Sequence, residues 1–225
     1  MRQVSSDKYT IAWFKLAECV ARGEREKALG VYRLLSHSID DPAYTLQLEA
    51  DILWTFNDYE TAISKYHESA VMYKAQQKYS QAFSVWEQIL LLVPDHIPTL
   101  ETVVALSLEL KEYTKLKSYS ELLYQVYETQ HSYEKLINLV ETIEPYISLS
   151  EQITWYRKTV LLVIHQIPEA TEMVNKILRK TIDLIHRDNS EQLSLFVSTI
   201  KSISERYYQE TVWYLQVISP SDKTI

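Results

Sequence analysis

The chain has 225 residues, 46% of them hydrophobic, with a single cysteine and a formal net charge of −7. Only two glycines occur, Gly23 and Gly30, against about 7% of residues in an average protein. A phosphate-cradling loop, a dinucleotide fingerprint and a nucleophile elbow all need glycine and are excluded, and the acidic balance excludes broad nucleic-acid binding, which rests on clustered Lys and Arg.

A chain of this length buries roughly 70% of the surface it would expose unfolded, so it needs neither a metal nor a disulfide. Cys19, between Leu16 and Val20 in an apolar stretch, reads as a buried thiol in a reducing compartment. The N-terminal residues contain no apolar signal segment. The longest aliphatic runs, Ile89 to Val93 and Val160 to Ile164, are too short to span a bilayer. A soluble cytoplasmic protein without membrane contact is expected. Residues 1 to 112 carry 11 basic and 16 acidic side chains and the remainder 12 and 14, so a cationic or neutral ligand is favoured in the first half.

In chain order, prolines, caps and the apolar period predict about eleven helices, near 9–22, 24–38, 43–56, 58–75, 78–93, 97–110, 112–129, 131–144, 148–166, 168–187 and 190–217. Asp41 and Pro42 supply an N-cap oxygen and a first-turn proline. Asn57 and Asp58 open another helix, Pro94 ends one and Pro98 begins the next, and Ser148 with Glu151 has capping-box spacing. Pro168, Glu169 and Glu172 read as a helix start carrying favourable negative charge. Val160 to Ile164 is apolar all round and should be buried. Leu193, Phe196, Ile200, Ile203, Tyr207 and Tyr214 form one face of a long terminal helix that caps the array. No strand is expected.

A spaced pattern runs through these helices: Tyr59, Ala62, Tyr66; Tyr79, Ala82, Trp86; Tyr113, Leu116, Ser120; Tyr133, Leu136, Val140. Its small or aliphatic marker falls at Ala28, Ala62, Ala82, Leu116 and Leu136, with spacing alternating between 34 and 20. A step of 20 is one helix and a turn, so helix 58–75 should serve two hairpins, and helix 112–129 likewise. The residues from 63 to 96, with Tyr66, Ser69, Ala70, Tyr73, Tyr79, Ala82, Trp86, Ile89 and Pro94 in order, resemble the tetratricopeptide repeat. Weaker repeats around it extend the resemblance over residues 9–145. The fold it implies is an all-α, right-handed superhelical solenoid of antiparallel helical hairpins, one domain over 1–225, with divergent helices and a cap from 146 onward.

The resemblance implies a groove on the first helix of each hairpin. The matching residues are Phe14, Glu18 and Arg22, then Tyr44, Gln47, Asp51 and Trp54, with Glu101, Ala105 and Glu109 further on. This is an acidic groove with aromatic walls, suited to a peptide with basic and apolar side chains; a merely solvated face stands as the alternative. A subset of the family clamps C-terminal carboxylates, but Phe14, Glu18 and Leu48 occupy those positions and Glu18 would repel a carboxylate. Tyr59, Tyr79, Tyr113 and Tyr133 read as packing residues. Lys176, Arg179, Lys180 and Arg187 read as the basic outer face of an amphipathic helix.

No catalytic motif is found, since Ser36 beside His37 lacks a third member or an oxyanion device. The six histidines show no metal-ligand spacing, and no cofactor is implied. The expected function is a non-catalytic scaffold that binds a protein or peptide. A peptide-sensing regulatory domain and an architectural subunit of an oligomer are the alternatives.

Overall fold

The structure is a computed structural model. It describes residues 3–167, 172–188 and 190–219, without the side chains of 3–9, 190 and 191. Twelve α-helices and one 3₁₀ turn make up the described residues, with no strand among them. In order they are α1 Gln3–Ala21, α2 Arg25–Ser36, α3 Pro42–Thr55, α4 Tyr59–Ala75, α5 Tyr79–Leu92, α6 Ile97–Leu110, α7 Tyr113–Thr129, α8 Tyr133–Ile143, α9 Leu149–Gln166, α10 Glu172–Asp188, α11 Ser190–Ile203 and α12 Glu205–Ile218. The 3₁₀ turn Glu144–Tyr146 follows α8. Two compact units result, Met1–Leu110 and Lys111–Ile225.

One backbone turn between helices is used five times. Gly23, Asn57, Gln77, Lys111 and His131 all have left-handed backbone, with φ between 54° and 72°, and each is followed by an N-cap residue with φ near −85° and ψ between 62° and 70°. In four of the turns the amide after the left-handed residue returns to a carbonyl five positions back, Glu24 to Cys19, Asp58 to Leu53, Lys78 to Tyr73 and Ser132 to Tyr127. These bonds satisfy carbonyls that a helix end otherwise leaves open. Glycine suits φ +72° at Gly23 because it has no Cβ to clash with the carbonyl. The turns recur at alternating spacings of 34 and 20, and each precedes by five residues a marker that is fully buried or 1% exposed: Ala28, Ala62, Ala82, Leu116 and Leu136.

The first unit packs α1 on α2, then α3 on α4, with α4 also lying along α5. Helix α4 thus serves two hairpins, as the 20-residue step requires. Leu16 and Cys19 of α1 meet Ala28, Val31, Tyr32 and Leu35 of α2 and Ile52 of α3 in a common core. In the second unit α10 is the centre, packed on α9, α11 and α12. Within α9, Val160, Val163 and Ile164 are buried, while Leu161 and Leu162 are half-buried.

Local signals in the sequence mark several ends. Asp41 Oδ1 accepts from the amides of Ala43 and Tyr44 at 3.0 and 3.3 Å, and Ser148 with Glu151 forms a reciprocal capping box. Two expectations need correction. The long terminal helix is interrupted at Ser204, which adopts extended backbone and caps α12 through the amide of Tyr207. The apolar rhythm continues through that serine and conceals the break. The tyrosines two residues after the turns are not core residues: Tyr59 is 46% and Tyr113 51% exposed. They stand at the first position of their helices, where Tyr59 donates to Asn57 Oδ1 at 2.6 Å and Tyr133 pairs with His131 at 2.8 Å, covering the turn rather than the interior. Pro168 and Glu169 lie outside the described residues.

Candidate functional site

Helices α1 and α3 border an open cleft of about 250 Å³. Trp13, Ala17 and Val20 of α1 face Leu48, Asp51 and Thr55 of α3 across it, and the buried Leu16 and Ile52 complete the lining. Its surface is apolar apart from Asp51 and Thr55. Asp51 is held from behind: Oδ1 accepts the phenol of Tyr66 at 2.5 Å and the amide of Gln88 at 3.2 Å. Gln88 also donates to the Tyr66 oxygen at 3.1 Å and accepts from Gln47 at 3.2 Å. This network joins α3, α4 and α5. Burial, helped by the Asp51 carboxylate, raises the Tyr66 pKa well above the usual phenol range, so Tyr66 remains a donor that fixes the carboxylate.

The groove residues read from the sequence therefore divide. Asp51 lines the cleft and Gln47 belongs to the network behind it. Phe14 is 73% exposed on α1 but is not among the cleft residues. Glu18 and Arg22 pair with each other at 2.6 Å along the exposed side of α1. On α3, Tyr44 is exposed near the helix start, and Trp54 packs on Tyr59 with ring centroids 4.6 Å apart. Glu109 pairs with Lys74 of α4 at 2.6 Å, and Glu101 is exposed on α6. Sequence reasoning missed Trp13, Ala17 and Val20. Their local signal is a tryptophan four positions before an alanine on one helical stripe, but the face of α1 that meets α3 follows from packing.

A larger cavity, about 1080 Å³, lies in the second unit against α8, α9 and α10. Its wall is a set of ion pairs. Lys176 meets Glu141 and Lys180 meets Glu144, both at 2.6 Å, and Tyr156 donates to Glu144 at 2.8 Å. Although burial opposes it, bonding to Lys180 and Tyr156 lowers the Glu144 pKa and keeps it ionised. Arg179 pairs with Glu210 and lies over the Trp213 and Tyr214 rings. Lys176, Arg179 and Lys180 of the basic outer face expected on this helix are thus paired with carboxylates from outside it, while Arg187 is exposed. A helix viewed alone cannot show such partners 31 to 36 positions away.

Among the described residues, no group of three or more His, Cys, Asp and Glu side chains is placed to hold a metal. No helix among them is long and apolar enough to cross a membrane.

No protein-family model matches the chain, and no curated protein matches it. Among solved structures it is similar to "MamA RS-1 ArsTM double mutant", at 17% identity over 89% of this chain and 96% of that one, with a TM-score of 0.32. It is also similar to the C-terminal part of a TPR repeat-containing protein from Cytophaga hutchinsonii, at 11% identity over 96% of each chain, with a TM-score of 0.32.

Proposed function

We propose that the chain is a non-catalytic protein-interaction scaffold in the cytoplasm, its two units working as one domain, and that a peptide or partner helix docks on α1 and α3. The observation that carries this reading is the cleft of about 250 Å³ with Trp13 half-exposed on one wall and a network-fixed carboxylate on the other. A surface whose side chains are already ordered loses little conformational entropy when a partner binds, so the affinity of a modest contact area is preserved. The exposed Phe14 and Tyr44 extend the apolar surface available on the same two helices.

Capture of partners from a native lysate tests the reading. Ala17→Arg with Thr55→Arg fills the cleft mouth from two exposed positions, and Arg187→Glu on α10 serves as a surface control. Partners retained by the control and depleted at least about tenfold by the cleft variant, a loss of about 1.4 kcal/mol or more, are the expected result. An identical partner set for wild type and the equally helical cleft variant removes α1 and α3 from the docking site.

A further inference from the structure

The residue three before the left-handed turn is Val20 on α1, Lys74 on α4 and Glu128 on α7, and the uncharged Trp54 on α3 and Leu108 on α6. On α4 and α7 it carries a charge used across helices: Lys74 reaches Glu109 of α6 at 2.6 Å, and Glu128 receives Lys158 of α9 at 3.0 Å. Lys158 also sits 4.1 Å from the centre of the Tyr124 ring, in a cleft of about 200 Å³ bordered by Trp155 and Glu121. In both places a lysine from the chain itself spans two helices and rests on a carboxylate. In the second it also covers an aromatic face, where the ring quadrupole attracts it.

The α1–α3 cleft holds only half of this arrangement. It has a carboxylate at Asp51 and an aromatic wall at Trp13, while Val20 replaces the charged residue. Among the described residues, no lysine or arginine pairs with Asp51, whose side chain bonds only Tyr66 and Gln88, both through Oδ1. Among the described residues, Oδ2 of Asp51 accepts no side-chain hydrogen bond, which leaves it available to a charge-assisted partner from another molecule.

We infer that this cleft takes one lysine or arginine side chain from an otherwise apolar segment of a partner protein. The cation meets Asp51, and its methylene stem lies against Trp13, Ala17 and Val20. Long basic side chains bury their stems along apolar walls while the head keeps a polar partner, and a cleft of this size accommodates one of them. Asp51 then determines specificity, and the inference rests on the reading that α1 and α3 form the docking site.

The test selects peptides from displayed random dodecamers on the full chain and measures the selected peptides against three forms: wild type, Asp51→Asn and Ala17→Arg. Asparagine keeps an oxygen acceptor for Tyr66 and Gln88, and melting curves check that both variants are folded. Selected peptides should carry one basic residue among apolar ones. Asp51→Asn should weaken binding about tenfold, replacement of the peptide lysine by norleucine should do the same, and the two losses should not add. Equal binding of lysine and norleucine peptides, or no effect of Asp51→Asn where Ala17→Arg abolishes binding, overturns the basic anchor and leaves the docking site standing. Failure to select any peptide, or binding indifferent to Ala17→Arg, overturns both.

Discussion

The two units solve one packing problem with opposite residue choices. In the first, a small marker is followed four positions later by a large aromatic: Ala28 and Tyr32, Ala62 and Tyr66, Ala82 and Trp86. In the second the marker is larger and its companion shrinks: Leu116 and Ser120, Leu136 and Val140. All ten are buried. Residues four apart share a helical face, and a close-packed interior fixes the volume available to them, so the pair is conserved in sum rather than in kind. The difference has a polar consequence. Each aromatic of the first unit reaches a partner, Tyr32 the carbonyl of Thr45 at 3.0 Å, Tyr66 the Asp51 carboxylate at 2.5 Å and Trp86 the ring of His67 at 3.2 Å. Burial, with Glu49 beside it, pushes the Tyr32 phenol up to about 12. Ser120 Oγ in the second unit is buried without a hydrogen-bond partner among the described residues.

The largest effect expected from this comparison comes from converting one unit's solution into the other's. Trp86→Val opens a cavity and removes the bond to His67, for a loss of about 3 kcal/mol. Ala82→Leu overpacks the same space at about 1–3 kcal/mol. Combined, the two should cost at least about 1 kcal/mol less than their sum, because the leucine fills what the tryptophan vacates. Urea unfolding followed by circular dichroism measures the cycle, and strict additivity would break the volume argument.

A smaller contrast sharpens the polar side of the comparison. Tyr66→Phe deletes the donor to Asp51 and should cost about 1 kcal/mol, whereas Ser120→Ala removes an unsatisfied buried hydroxyl and should be neutral or stabilising by up to about 1 kcal/mol. Thermal melting of both variants gives the signs, and destabilisation by Ser120→Ala would reveal a partner for that hydroxyl.

The smallest effect is confined to the second unit. Bonds from Lys117 and Ser148 hold the Glu151 carboxyl down to about 2. Because the folded value lies below the ordinary one, the contribution of this cap is complete above the usual carboxylate range and is lost as pH falls through that range toward 2. Glu151→Gln should flatten this part of the stability profile, and carboxyl chemical shifts follow the titration directly. An unaltered profile in the variant would assign the acid sensitivity elsewhere.

Much of the architecture is legible in the chain because it is written locally. The markers Ala28, Ala62, Ala82, Leu116 and Leu136 reproduce the spacing of the five left-handed turns, since each turn fixes where the next helix begins and so which residue arrives on the shared face. Asp41, Pro42, Ser148 and Glu151 act within one helical turn of themselves. Less of the candidate site is legible. Asp51 could be placed on the inner side of α3, but its anchoring by Tyr66 and Gln88 draws on three helices. Phe14 and Trp13 are neighbours on α1 separated by about 100° around the axis, and only contact with α3 selects Trp13 for the cleft.

By itself the sequence determined most of the helices, the places where turns separate them, and the two-sided use of α4, all consequences of backbone geometry and of apolar spacing along a few residues. Tertiary structure alone decided which side of α1 meets α3, where the last helix is interrupted, and which carboxylates neutralise Lys176, Arg179 and Lys180. Those outcomes depend on side chains brought together from 30 or more positions apart, where no local propensity acts and only the fit of packed helices sets the distances.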